Sequence, residues 1–364
     1  MKDRASGMAD LSGDDLKAAV AAGIVSEAQA ASIQALAAQR LAGRPAPDDE
    51  AFELFRGFAE IFITAGLLIL MAGLMGLASA AGDSLAFCLI GVVLSIGFAR
   101  YFTVRRRMVL PSIVLVSAFA LSVMGAILAL LLEKTGFGSD LQRLELLAGG
   151  GMLLALVGWY WWFRLPFTMF LIGLAGLFLG VALIAPYDLI SLTTAQSPAE
   201  LLSLTGGSRL GLATLVVGLV AALGGIWFDT RDPYRLGRAS ASAFWLHLIA
   251  APAIMNTLGQ TAMALEGPGR LLAMALVLAV MTVFALIIDR RSFLTAGLGY
   301  LVWLIWTLAY RNGAGLDWPM VLVLIGGAVT ALGAWWVPLR AVLMRALPDF
   351  PGKDRLPPYA KGAL

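Results

Sequence analysis

Apolar runs of about twenty residues, separated by short knots of charge, fill the chain from Phe58 onward. At 1.5 Å per residue, about 20 helical residues cross roughly 30 Å of hydrocarbon, so each run is long enough to span a bilayer. A sliding reading places ten runs at approximately 61–81, 84–103, 109–132, 145–163, 167–187, 208–228, 243–264, 270–288, 292–310 and 319–340. With no water in the hydrocarbon, each must be helical so that its amides and carbonyls pair internally. The expected fold class is all-α: a polytopic membrane helix bundle of about ten transmembrane helices with a small cytosolic N-terminal helical hairpin.

The first 55 residues follow a different pattern. Ser12…Asp15 and Ser26…Gln29 fit capping boxes, and Gly23 between them can take the left-handed conformation that ends a helix. The spacing predicts helices over 14–22 and 27–42, with Leu16, Val20, Ile24, Ile33 and Leu36 as one modest apolar stripe. Two short helices with so little to bury are marginal alone and point to packing on a partner or on the membrane part. Pro45 to Glu50 forms an acidic linker. The chain thus divides into a cytosolic hairpin with linker (1–55), a membrane bundle (56–345) and a cytosolic proline-rich tail (346–364), expected to be disordered. In the longest outer loop, Ser197-Pro-Ala-Glu200 predicts a short interfacial helix.

Composition agrees with the periodicity. The chain is 60% hydrophobic and 13% charged, with a mean hydropathy of +0.86. The net charge of +3 reflects arginine gathered at particular loops and points to no nucleic-acid partner. A single cysteine, Cys88, excludes an internal disulfide, and with one histidine no clustered zinc or iron site can be assembled. No cofactor is implied. The first residues lack an apolar core, so no cleavable signal peptide is expected and the first span serves as its own insertion signal. The excess of arginine over lysine, with abundant alanine and glycine, is the usage of a GC-rich bacterium.

Loop charge sets the expected orientation. Alternate loops carry Arg100, Arg105, Arg106 and Arg107, then Arg164, then Arg231, Arg235 and Arg238, then Arg290 and Arg291. The opposite loops carry Lys134, Arg143, Arg209, Arg270 and Arg311, diluted by acidic residues. The positive-inside rule places the arginine-rich loops, and with an even number of spans both termini, in the cytoplasm of an inner membrane.

The stretch 229–256 holds the candidate chemistry. Asp232-Pro233 reads as a helix start, which would set Arg231, Arg235 and Arg238 near one face of a short interfacial helix. That patch fits an anionic lipid headgroup or ligand, or ordinary anchoring on anionic lipid. His247, the only histidine, lies about five residues into the seventh span, roughly 7 Å from its end. It is either a titratable functional group beside a helix kinked at Pro252, or a neutral ring bonded to a neighbouring carbonyl. Asn256 and Gln260, with Thr261, fall about 13 to 20 Å deeper, too far to share a compact site with His247. Interhelical hydrogen bonding or a translocation pathway accounts for them. Trp159, Trp161 and Trp162 with Arg164, and Trp335 and Trp336 with Arg340, read as interfacial aromatic belts. The glycines of the spans suit close helix approach, and no convincing internal repeat is visible.

The hairpin pattern Leu16…Ala22-Gly-Ile-Val-Ser-Glu-Ala-Gln29 ahead of many spans resembles a family of uncharacterised multi-pass bacterial inner-membrane proteins, catalogued as a domain of unknown function. The segment Ala243-Phe-Trp-Leu-His-Leu-Ile-Ala-Ala-Pro252 resembles one shared by uncharacterised proteobacterial membrane proteins. The resemblance implies no activity and no catalytic residue.

Three functions fit these features. A non-catalytic membrane scaffold or sensor would dock a soluble cytosolic partner through the N-terminal helices. A permease for a small or anionic solute would use the seventh span. An enzyme on a lipid-linked substrate would use His247 with the arginine loop, but His247 has no carboxylate beside it in sequence for acid–base work.

Overall fold

The computed structural model describes residues 13–42, 58–79, 82–135, 141–185, 201–235, 237–267, 269–311 and 318–359. Its helices are α1 Gly13–Ala21, α2 Glu27–Ala42, α3 Phe58–Ser79, α4 Ser84–Ala99, α5 Val109–Thr135, α6 Leu141–Phe163 and α7 Thr168–Ile184. They continue as α8 Leu210–Asp229, α9 Arg238–Ala264, α10 Gly269–Ile288, α11 Ser292–Arg311, α12 Trp318–Ala334 and α13 Trp336–Ala346. A π-helical turn, Arg100–Arg105, extends α4.

The N-terminal hairpin forms as its caps dictate. Ser26 N–H donates to Gln29 Oε1 at 2.8 Å while Gln29 N–H donates to Ser26 Oγ at 3.2 Å, so two orphan donors are satisfied reciprocally. Gly23 takes φ +70° at the turn. Ser12, of the other capping box, lies outside the described residues, as do the acidic linker and the segment around Ser197. Among the described residues Leu16 and Ala30 are the ones buried between α1 and α2, with Val20 and Val25 against them. Ile24, Ile33 and Leu36 of the expected stripe are exposed.

Each of the ten apolar runs falls on a helix, and the whole is a helical membrane bundle. Among the described residues seven helices, α3, α4, α5, α6, α8, α9 and α10, are long and apolar enough to cross a bilayer. The tenth run does not form one straight span. It breaks at Trp335, and α13 turns 67° from α12, giving an eighth crossing if the pair counts as one. The bend follows from where α13 is held: its Trp336 indole and Arg340 guanidinium both bond to the C-terminal end of α10. Helix α7 and the apolar part of α11, Ser292–Thr307, are shorter.

Two apolar cores divide the bundle. One joins α3 to α7 around Leu115, Leu156 and the ring stack Phe119, Trp159 and Phe163. The other lies among α8 to α11 around Met255, Met274 and Phe293. Trp159 and Trp336 are therefore core residues, whereas Trp161, Trp162 and Trp335 keep the exposed aspect of a belt. An indole at the end of an apolar run reads the same in sequence whether it faces lipid or the neighbouring helix.

Helix α9 is the centre of the second core. It packs against α7, α8, α10 and α11, and more of it is buried than of any other spanning helix. Its closest neighbour is α8, because Gly218 and Gly225 lie seven residues apart on the contact face. A Cβ on Gly218 would stand 3.0 Å from the Ala253 Cβ. The helix runs through Pro252 as one element of 27 residues.

The four arginine-rich turns share a backbone signature. Arg107, Arg164, Arg235 and Asp289 have φ between 49° and 56°, the only non-glycine residues with positive φ among those described. Non-glycine residues hold this conformation only where surroundings impose it. At Asp289 the turn closes as a Schellman motif, with Arg290 N–H donating to Ala285 O at 3.0 Å. At the 107 turn, Glu60 from α3 accepts from Val109 N–H and Leu110 N–H, satisfying the first amides of α5.

Candidate functional site: a buried ionic cluster at the arginine-rich end

The stretch after α8 does not form the short helix expected at Asp232-Pro233. Residues 230–235 are a turn, and Asp232 Oδ2 accepts instead from Gly237 N–H at 2.7 Å and Ser240 N–H at 3.2 Å. Asp232 thus caps α9, which begins at Arg238 rather than at Pro233; a Pro at the first helical position suits a turn as well as a helix. The three arginines consequently share no face. Arg231 lies over the Trp227 ring at 3.6 Å, Arg235 turns inward, and Arg238 begins α9 exposed.

His247 does have a carboxylate beside it, contrary to the expectation from the sequence. Its Nε2 lies 2.9 Å from Asp229 Oδ2, the carboxylate of the last residue of α8. The partner was hidden because it comes from the preceding helix, eighteen residues away. Arg290, from the α10–α11 turn, completes the group. Its Nη2 donates to Asp229 Oδ1 and its Nε to Asp229 Oδ2 at 3.2 Å, a two-pronged grip, while Nη2 also reaches Ser240 O at 3.0 Å. Side-chain exposures of 0% for His247 and 2% each for Asp229 and Arg290 make this a sealed cluster.

Charge balance explains why three such groups tolerate burial. The Asp229 carboxylate, held by Arg290, only accepts, so His247 Nε2 carries the proton and Nδ1 presents a bare lone pair. Nδ1 is buried and has no hydrogen-bond partner. The ring is seated by two neighbours. Phe293 packs edge-on at 5.7 Å between centroids, and Gly225 leaves the space that a Cβ would take, 2.6 to 2.9 Å from three ring atoms.

A second ionic group lies one residue away. Asp289 Oδ1 accepts from the Trp336 indole at 2.7 Å, Oδ2 lies 3.1 Å from Arg235 Nη2, and Arg340 Nε is 3.7 Å from Oδ1. Arg235 Nη2 also donates to the Asp289 carbonyl, so the two left-handed turns at 235 and 289 are pinned on each other. Arg340, expected in an interfacial belt, is buried; it donates through Nε to Leu286 O at 3.1 Å, through Nη1 to Pro358 O at 3.0 Å and through Nη2 to Pro357 O at 2.7 Å. The tail is therefore not disordered through its described length, to residue 359. Proline lacks an N–H but keeps its carbonyl, and a buried guanidinium gathers two of them.

The deeper polar residues form a separate site, as the spacing requires. Tyr300 of α11 donates to Asn256 Oδ1 at 3.0 Å and accepts from Gln260 Nε2 at 3.2 Å. Thr214 and Thr257 pair at 2.7 Å between α8 and α9, and Thr261 accepts from Leu204 N–H at 2.9 Å at the far end. An open apolar groove, lined by Gly299, Val302, Trp303 and Trp306, lies on α11. Among the described residues no three His, Cys, Asp or Glu side chains are grouped to hold a metal ion.

Comparison with protein families, with curated proteins and with solved structures finds no match for this chain.

Proposed function

We propose that this chain is a non-catalytic membrane scaffold or sensor that docks a soluble cytosolic partner through α1 and α2. The reading includes a bacterial inner-membrane location, about ten spans with both termini cytoplasmic, and kinship with the uncharacterised bacterial family that its hairpin resembles. The observation that carries it is the contrast in burial between two parts of the molecule. Asp229, His247 and Arg290 are spent on one another in a sealed cluster, whereas the N-terminal hairpin leaves Ile24 75% and Leu36 56% exposed beside a core of Leu16 and Ala30. Apolar side chains left exposed beside so small a core support docking at this hairpin.

The test combines topology with docking. Fusions of a cytoplasm-active reporter after Arg107, Asp232, Arg291 and Arg345 should be active, and fusions after Asp140 and Ser203 inactive; activity at Ser203 would overturn the ten-span arrangement. A soluble protein should then co-purify from native membranes in mild detergent and be lost from an Ile33→Asp, Leu36→Asp double variant that still inserts. Retention of that protein by the double variant would refute docking through α1 and α2.

A permease is the second reading, favoured by one feature of α9. Ser240, His247, Thr257 and Thr261 fall within a sector of about 100° and extend over roughly 30 Å, close to the hydrocarbon thickness. Solute uptake that is lost on Thr257→Val with normal protein abundance would shift the assignment to transport.

A further inference from the structure

Arg340 stands between the C-terminal tail and the buried cluster, and its bonds run both ways. Towards the bundle, Nε caps α10 at Leu286 O and lies 3.7 Å from the Asp289 carboxylate. Towards the tail, Nη1 and Nη2 hold the Pro358 and Pro357 carbonyls. The tail is fastened at two further points. Leu356 is buried, and Lys353 Nζ, itself buried, donates to Leu347 O at 2.7 Å and pairs with Asp349 at 3.2 Å. Residues 347–359 thus make a strap over the arginine-rich end.

We propose that this strap is a latch that keeps the His247 cluster sealed. The path is short and contiguous. Were the strap to leave, Arg340 would lose two carbonyl acceptors at a buried position, with the Asp289 carboxylate 3.7 Å from its Nε. Arg340 would then compete for that carboxylate with Trp336 Nε1 and Arg235, which hold Asp289 in its left-handed turn. The next residue, Arg290, is the one that grips Asp229 and, through it, His247. A shift of the 289 turn therefore loosens the pair, and opens a path for water to Nδ1, the buried lone pair with no partner. The seated strap is the closed state, and any process that draws the tail away, such as its capture by a partner, opens it. An element with two arrangements, biased from one end and read at the other, is what coupling requires.

The single histidine makes the test direct, since ring labelling yields one imidazole signal. The full chain in lipid nanodiscs is compared with a Leu356→Asp variant, which unseats the strap without touching Arg340, and with Arg340→Gln, which removes the link. The expected result is a shift of both His247 ring nitrogen resonances in both variants, with exchange of the ring N–H accelerated about tenfold, the signature of local opening. The Leu356→Asp and Arg340→Gln effects should not add in the double variant, because they cut one path. If the variants do not accumulate, a protease site placed at Asp349–Gly352 and cut after purification releases the strap from folded protein. Unchanged His247 resonances after cutting, in protein that keeps its helical content, would overturn the latch.

Discussion

Gly225 provides the sharpest perturbation of the cluster. An added Cβ would lie 2.6 Å from His247 Cε1, 2.7 Å from Nε2 and 2.9 Å from Nδ1, closer than real Cβ atoms approach. The obstacle is a buried ring, wedged between α8 and Phe293, and it cannot swing aside as a flexible chain end would. Gly225→Ala must therefore displace the imidazole and break its bond to Asp229. Overpacking of a tight core costs about 1–3 kcal/mol, and loss of a hydrogen bond to a charged group about 1.5–3 kcal/mol. Greater helix propensity returns at most about 1 kcal/mol. The net expectation is a loss of ~2–4 kcal/mol of stability. Gly224→Ala is the internal control: its Cβ would meet only Leu246 Cδ1 at 3.4 Å, ordinary contact, so the change should be neutral or slightly stabilising. The assay is unfolding in mixed micelles under rising denaturing detergent, with a Gly225→Ala, His247→Ala double variant added. In the double variant the methyl enters space the ring has left, so it should be clearly more stable than the sum of the single changes predicts. Equal stability of Gly224→Ala and Gly225→Ala, or strict additivity of the double variant, would refute the seating of His247 on α8.

Three further outcomes follow from the same geometry. Arg290→Ala should destabilise by about 3–5 kcal/mol by stranding the Asp229 carboxylate, and an Asp229→Leu, Arg290→Met double variant should recover most of that loss in the same unfolding assay. His247→Gln, whose amide can still donate to Asp229, should cost about 1 kcal/mol or less, while His247→Leu should cost about 1–3 kcal/mol by leaving Asp229 short of a donor; equal losses would argue against the Nε2–Asp229 bond. Glu60→Ala should cost about 1–2 kcal/mol by uncapping α5, with hydrogen exchange accelerated at Val109 and Leu110 and not at the start of α9.

Much of the architecture follows from one-dimensional pattern, because its causes are local. Helices form wherever an apolar run must satisfy its own backbone, and the Ser26–Gln29 box with Gly23 sets the hairpin turn within a few residues of chain. The separation of His247 from Asn256 and Gln260 likewise needs only the rise of a helix. The cluster is different in kind. Asp229 meets His247 from the preceding helix, Arg290 reaches Asp229 across 61 residues, and Arg340 collects two carbonyls from the tail. In sequence Arg231, Arg235, Arg238 and Arg290 are alike, each an arginine at the end of an apolar run, and an orienting charge reads the same as a buried ligand. Two signals were present. Gly218 and Gly225 sit seven residues apart on α8, a seam for close approach, and Asp229 and Asp289 are acids placed among arginines where positive charge alone would serve. Neither names its partner. Periodicity is set by the bilayer and read along the chain. Which arginine turns inward is decided by the long-range electrostatics of three helix ends meeting, and that pairing exists only once α8, α9 and α10 have packed.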